Sequence, residues 1–504
     1  MPAVSSAERR LRELLEEASE LTRALRLLDW DQQTYMPPGG VEARAKTRAT
    51  LERLVHEYVT RDEVGALLEE LEKEVGDTSA DTDLARMVKV TRREYDLRRK
   101  LPPKLVEAIA RATTLGVSAW EQAREADDFS QFKPYLEEIV ALQIEKAHAL
   151  GFEDDPYDAL LDLFEPEMKS KTVDLLFSDL KKELVPLARE ILARADRVDD
   201  AVLRRGYDPE KQWEFTLRVI ETLGFDLKRG RQDKSAHPFT MGLTPTDVRL
   251  TTRIDENNLA SGLYASIHEA GHGMYEQGLP MEHYNTPLCD AVSLGIHESQ
   301  SRLWENVVGR SRPFWVFFFP RLKELFPTQL EGVDTEAMYR AVNKVVARSV
   351  RVEADEVTYN LHIFLRYELE RDLIGGSLSV ADLPEAWRSK TKEYLGFEPE
   401  SDREGVLQDI HWSSGLFGYF PTYTLGTVLA VQLYEKALEA HPGIPAEMEK
   451  GDFSALREWM QRNVYAYGAR YTPTELVQKA TGGPIAAEPY LAYLRGKYGE
   501  IYGL

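Results

Sequence analysis

One cysteine, Cys289, in 504 residues excludes an intramolecular disulfide and leaves a metal centre to be built from other ligands. Such a residue is by default a small buried apolar group, and the usage fits a reducing compartment. Positive charge is in deficit as well. Lys and Arg number 63 against 85 Asp and Glu, a net charge of −22, which repels nucleic acid and anionic membrane surfaces. Long apolar runs are missing: none reaches the roughly 18 residues of a membrane span. The richest stretches, Phe314 to Phe319 and Phe417 to Leu433, are broken by Pro320, by Pro421 and by polar residues, so they read as core or cleft wall. Met1 to Leu28 is charged and amphipathic, without the apolar centre of a signal peptide. The expectation is a cytoplasmic globular protein able to bury a large core, with 43% hydrophobic and 29% charged residues.

Histidine is scarce too, at ten residues, yet two fall in Ser266-Ile267-His268-Glu269-Ala270-Gly271-His272-Gly273. On a helix, His268 and His272 lie one turn apart on one face, where both imidazoles reach a single tetrahedral cation and Glu269 points beside it. That is the H-E-x-x-H arrangement of zinc hydrolases. The flanks support a helix from Asn257 to Gly278: Asp255, Asn257 and Asn258 are cap candidates, Gly278 and Pro280 a stop. Leu259, Leu263, Tyr264, Ile267 and Tyr275 form the apolar stripe. The competing reading, a structural helix with two hydrogen-bonded histidines, sits poorly with Gly262, Gly271 and Gly273, each of which weakens a helix by up to about 1 kcal/mol.

Upstream, apolar residues at helical spacing over 6–30, the turn Met36-Pro37-Pro38-Gly39-Gly40 and a second periodic segment over Val41 to Tyr58 read as a helical hairpin. The same texture, with breaks at Gly76-Asp77, Pro102-Pro103, Gly151 to Pro156 and Gly206 to Pro209, runs to about Ala236. From His237-Pro238-Phe239 the pattern changes. Asp247 to Ile254 alternates as a strand, either an edge that pairs with extended peptide or an ordinary hairpin strand.

A third hard ligand from a following helix would leave the fourth metal position for water. Glu298, in Gly295-Ile296-His297-Glu298-Ser299, is the best candidate by spacing, with Glu305, Glu276 and Asp290 as rivals; His297 is ambiguous. Arg348 to His362 reads as one helix whose Arg351, Asp355, Thr358 and His362 share a face leaning toward a wet cleft. Tyr419 and Tyr423 are candidate donors to an oxyanion.

Taken together, these segments resemble the carboxypeptidase Taq family of thermostable metallocarboxypeptidases. The resemblance rests on His237-Pro238-Phe239, Asp247-x-Arg249-x-Thr251, His268-Glu269-x-x-His272, His297-Glu298-Ser299-x-Ser301, Arg351-x-Glu353-Ala354-Asp355-Glu356 and Gly405-x-x-Gln408-Asp409-x-His411-Trp412. The N-terminal Leu28-Asp29-Trp30-Asp31-Gln32-Gln33-Thr34-Tyr35-Met36-Pro37 also looks like the family's opening. It implies a mainly α, zincin-like helical metallopeptidase with a deep cleft and a small β-sheet beside the metal helix. One unit spans 1–504, with 1–235 as one cleft wall and 236–504 carrying the metal site and substrate motifs. It further implies a homodimer that removes single C-terminal residues with broad specificity, and it selects Glu298 as the third ligand.

The implied chemistry uses one divalent metal, zinc or else cobalt, on His268, His272 and Glu298, with Glu269 as general base. Tyr423 or Tyr419, with His411 or His237, would steady the oxyanion. Arg351, or else Arg249, would hold the substrate carboxylate through two hydrogen bonds. Two alternatives stand beside this reading: a helical zinc oligopeptidase that cuts internally, and a helical scaffold with a vestigial metal site. One departure concerns Arg302, which stands where related zinc peptidases place an acid to orient a histidine; Asp355 and Glu305 are the substitutes considered. The segment Lys344 to Val350 also lacks an expected proline.

Overall fold

The computed structural model describes residues 5–504, which leaves the first four residues of the amphipathic N-terminal segment outside the description. Twenty α-helices and one three-stranded sheet form the regular structure of the described residues. The helical hairpin is present as Ser6–Thr34 and Val41–Val59, joined across the proline–glycine turn. The first helix packs with Asp62–Val75 and Asp83–Lys100 around Leu11, Leu14, Leu68 and Met87, a small core that Leu288 closes from the C-terminal half. The breaks at Gly76 and Gly151 have φ of 72° and 85°, left-handed backbone that glycine adopts without a Cβ penalty. Both apolar stretches are core: Phe314, Trp315, Phe318, Phe417 and Phe420 are all buried. No helix among the described residues is long and apolar enough to cross a membrane.

The sheet corrects two expectations. Strand β3, Asp247–Thr252, is its centre: β1, Gly230–Lys234, pairs with it in parallel and β2, Thr240–Thr244, antiparallel. The alternating segment is therefore not an edge: it is the second strand of a hairpin with β2, joined through Pro245 and Thr246, and β1 covers its other side. Helical texture also ends earlier than the sequence suggests, because β1 (Gly-Arg-Gln-Asp-Lys) carries no apolar alternation and is specified by its partner strand. In β3, Val248, Leu250 and Thr252 are fully buried, and Thr252 Oγ1 donates to the Gly262 carbonyl at 3.2 Å. Arg249 instead meets Trp30 of the first helix, which lies beneath its guanidinium at 4.3 Å.

The histidine helix is Leu259–Gly278, with Asn258 at the N-cap position but making no side-chain capping bond, and with Leu259, Leu263, Tyr264, Ile267 and Tyr275 all buried. Its glycines are contact points. A Cβ on Gly271 would lie 2.6 Å from the Gln300 carbonyl and 2.7 Å from Ser301 Cα, so glycine brings the backbone of the next helix, Leu294–Arg302, against this one. The segment Arg348 to His362 is not one helix. A 3-10 turn spans Arg351–Glu353 and the helix begins at Tyr359. Asp355 accounts for the break: its carboxylate accepts the backbone N–H groups of Val346, Val357 and Thr358 and the Thr358 hydroxyl, a side-chain alternative to the helical ladder. The supposed wet stripe is interior, with Arg351, Thr358 and His362 all buried.

Gly271→Ala is expected to destabilise the fold by about 1–3 kcal/mol through overpacking, read as a lowered urea midpoint. Gly496→Ala, with nothing within 4 Å of its added methyl, is expected to stabilise by up to about 1 kcal/mol.

Candidate active site

Helix packing brings the two imidazoles onto one carboxylate. His268 and His272 project from adjacent turns with ring centroids 5.0 Å apart. Glu298 Oε2 lies 3.7 Å from His268 Nε2 and 3.4 Å from His272 Nε2. Ligands at the 2.0–2.2 Å bond lengths of tetrahedral zinc stand about 3.3 Å apart, so the donor set fits one small divalent cation. All three donor atoms fall within 4.8 Å of one another. The helix Pro421–Ala440 passes directly behind Glu298, because Gly426 leaves room where a Cβ would meet Glu298 Cβ at 2.6 Å.

The remaining donor of each histidine is occupied. His268 Nδ1 meets Glu305 Oε2 at 2.9 Å. His272 Nδ1 meets His297 Nδ1 at 2.5 Å, one ring donating and the other accepting, and His297 Nε2 meets Glu276 Oε1 at 2.8 Å. Contacts at Nδ1 fix ring orientation and leave Nε2 for a metal. Two of the three rivals for the third ligand thus serve behind the ligands. The third, Asp290, makes no contact with either imidazole among the described residues. Asp355 reaches neither histidine; Glu305 reaches His268.

Arg302 is bound to the ligand carboxylate. Its Nε donates to Glu298 Oε1 at 2.6 Å, and Nη1 donates to Glu305 at 3.4 Å. Burial alone would raise the pKa of both carboxyls; Arg302 and the imidazoles reverse it, holding Glu298 well below the carboxylate range and Glu305 down at about 2. Burial, reinforced by His297, pushes His272 down to about 4, a neutral imidazole with a lone pair to offer. Burial would lower His268 also, but Glu298 and Glu305 raise it. A π-helical stretch, Leu303–Val308, carries Glu305 directly beyond Arg302, the kind of local widening found at functional positions.

Glu269 is buried beside the imidazoles. Thr240 of β2 donates its hydroxyl to Glu269 Oε2 at 2.6 Å, and burial raises the Glu269 pKa. Thr240 was not legible as a site residue; its one signal is its position just after His237-Pro238-Phe239. Tyr419, Tyr423 and His411 form one cluster, with Tyr423 Oη 3.1 Å from His411 Nε2 and the phenol rings 5.4 Å apart. Tyr423 stands three residues before Gly426, hence on the face toward Glu298. His237 is exposed, and its imidazole has no hydrogen-bond partner among the described residues.

Both candidate arginines hold carboxylates of the chain itself. Arg249 pairs with Asp247 through Nε at 3.0 Å and Nη2 at 2.9 Å. Arg351 donates Nε and Nη2 to Asp409 Oδ1 at 3.0 and 2.8 Å and Nη1 to Tyr359 at 2.8 Å, while Arg366 takes the other Asp409 oxygen at 2.7 Å. One carboxylate serving two guanidiniums leaves net positive charge there, which Arg249 with its own Asp247 lacks.

The pattern of carboxypeptidase Taq (M32) metallopeptidases matches residues 10–498. The chain belongs to this family. It is 44% identical to thermostable carboxypeptidase 1 of Thermus thermophilus over 99% of both chains. It is 37% identical to thermostable carboxypeptidase 1 of Pyrococcus furiosus over 94% of both. The M32 carboxypeptidase of Deinococcus radiodurans has a solved structure that superposes with a TM-score of 0.95 at 42% identity, covering 99% of this chain and 100% of that one. This M32 protein is thus a metal-dependent carboxypeptidase that acts on peptides. The scaffold alternative falls away.

Replacing His297 with alanine removes the imidazole behind His272, and a loss of about 10–100-fold in metal affinity is expected. Competition with a chelator measures it.

Proposed function

We propose that the chain removes single residues from peptide C-termini with broad specificity, using a divalent cation on His268, His272 and Glu298, zinc foremost and cobalt as the alternative. The observation that carries this is the approach of both Nε2 atoms to Glu298 Oε2, at 3.7 and 3.4 Å, with each Nδ1 occupied. A cation bound there acidifies water and polarises the scissile carbonyl.

Glu269, steadied by Thr240, takes the proton of the attacking water and passes it to the leaving amine. Burial pushes Tyr419 up to about 12 and Tyr423 well above the ordinary phenol range, so both are protonated donors at neutral pH. Burial pushes His411 down to about 3. In the tautomer with its hydrogen on Nε2, the neutral ring would donate to the Tyr423 oxygen at 3.1 Å and free that hydroxyl for the oxyanion. Removing one such donor typically lowers the rate about 10²- to 10³-fold. His411 serves this better than His237 because only His411 touches a phenol.

A guanidinium carries five N–H groups. Asp409 and Tyr359 engage three of those on Arg351, which leaves two for the substrate's terminal carboxylate. Arg351, with net positive charge around it, is preferred to Arg249 on that ground. The same reading makes the protein a heat-stable homodimer of the cytoplasm, supported by the family resemblance and by the single, buried cysteine; light scattering that returned the mass of one chain would remove the dimer.

Glu269→Gln is expected to lower kcat at least 10²-fold with metal content unchanged. Wild-type turnover in that variant removes the general-base assignment. Incubating the metal-loaded enzyme with paired free-acid and amidated peptides, with products read by mass, tests the exopeptidase assignment. Only the free acids are expected to shorten, one residue at a time, and equal cleavage of the amides favours internal cutting.

A further inference from the structure

One buried tyrosine, inside the Arg348 to His362 segment but assigned no role in the sequence, contacts a residue in each of three parts of the site. Tyr359 opens the helix Tyr359–Gly375 and its backbone N–H is bonded to the Asp355 carbonyl at 2.9 Å. Its hydroxyl accepts from Arg351 Nη1 at 2.8 Å. Its ring lies 4.2 Å from the guanidinium carbon of Arg302, the residue bonded to Glu298, and 5.8 Å from that of Arg351. Its edge meets Tyr423, with centroids 6.1 Å apart and planes at 85°.

Two guanidiniums, which repel each other, thus share one aromatic side chain: Arg302 lies near the ring, which attracts a cation, and Arg351 is bonded to the hydroxyl. An exopeptidase has to hold the terminal carboxylate and the scissile carbonyl a fixed distance apart, about one residue or ~3.8 Å between Cα atoms. Misplacement by about 1 Å can lower the rate about 10²-fold. Arg302 is bonded to the metal-donor Glu298 and Arg351 is the arginine assigned to the terminal carboxylate, and Tyr359 contacts both.

We propose that Tyr359 is a positioning residue that sets the spacing between the metal-binding group and the carboxylate-binding arginine, and so the register of cleavage. This rests on the assignment of Arg351 made above. Hydroxyl and ring do separable things: the hydroxyl orients Arg351, and the ring holds Arg302 on Glu298.

The test compares Tyr359→Phe, Tyr359→Leu and Arg351→Gln in the metal-loaded full-length protein. Each is assayed for kcat and KM on a blocked peptide and its amide, and for metal affinity by chelator competition. Tyr359→Phe is expected to raise KM for the free acid about tenfold, the worth of a hydrogen bond to a charged group. Its kcat should stay within about twofold, its metal affinity should not change, and its preference for the free acid should fall. Tyr359→Leu should in addition weaken metal binding about tenfold. Free-acid KM unchanged in Tyr359→Phe, or equal loss on acid and amide, overturns the proposal. If Arg351→Gln loses the acid preference while Tyr359→Phe keeps it, Tyr359 alone fails. If Arg351→Gln keeps that preference, the Arg351 assignment fails and the spacing role with it.

Discussion

Two imidazoles and a carboxylate converge to within 4.8 Å of one another, held from behind, and the rest of the molecule is arranged around that constraint. Three like donors facing one point repel unless a cation joins them, so in its absence their positions depend on contacts made elsewhere. Glu305 and His297 fix the imidazoles through Nδ1, and Arg302 and Ser301 fix Glu298. The helices are brought close enough only because Gly271 and Gly426 have no side chains. Glycine weakens helices, and here it sets the distance between them.

The second constraint is charge without water. Carboxylates and guanidiniums alternate behind the metal donors in the order Glu298, Arg302, Glu305, Arg310, and Asp409 sits between Arg351 and Arg366. Burial opposes every one of these charges; the guanidiniums stay protonated regardless, and they help keep the carboxylates ionised. Losing one partner from such a set leaves an unpaired buried charge and destabilises by about 3–5 kcal/mol. The N-terminal helices belong to the same construction. Phe164 packs edge-on against Tyr419 at 5.2 Å, and its carbonyl accepts the N–H of Leu294 at the start of the glutamate helix. Trp120 donates to the Leu407 carbonyl at 2.9 Å, ahead of His411.

What local pattern specifies was legible in the sequence: the histidine helix and its stripe, the first hairpin, the breaks at glycine and proline, and the candidate donors His268, His272 and Glu298. What depends on partners distant in the chain was not. Strand β1 is polar throughout and becomes a strand by pairing with β3, so the hairpin of β2 and β3 was legible as one of two readings but the central place of β3 was not. Arg348 to His362 has helical spacing, but the Asp355 carboxylate diverts the backbone N–H groups a helix would need. Thr240 on Glu269, His297 behind His272 and Arg302 on Glu298 follow from how helices and sheet approach, and periodicity carries no sign of that. Arg302 looked out of place because an acid was expected at its position; in the structure the orienting acid is Glu305, and Arg302 binds both it and the ligand.

The most direct measurement is anomalous diffraction at the zinc absorption edge from crystals of the zinc-loaded protein. The account predicts one strong peak per chain, about 2.0–2.2 Å from His268 Nε2, His272 Nε2 and a Glu298 oxygen, with no fourth protein ligand. A principal peak elsewhere, or a fourth position filled by a protein side chain, would contradict it.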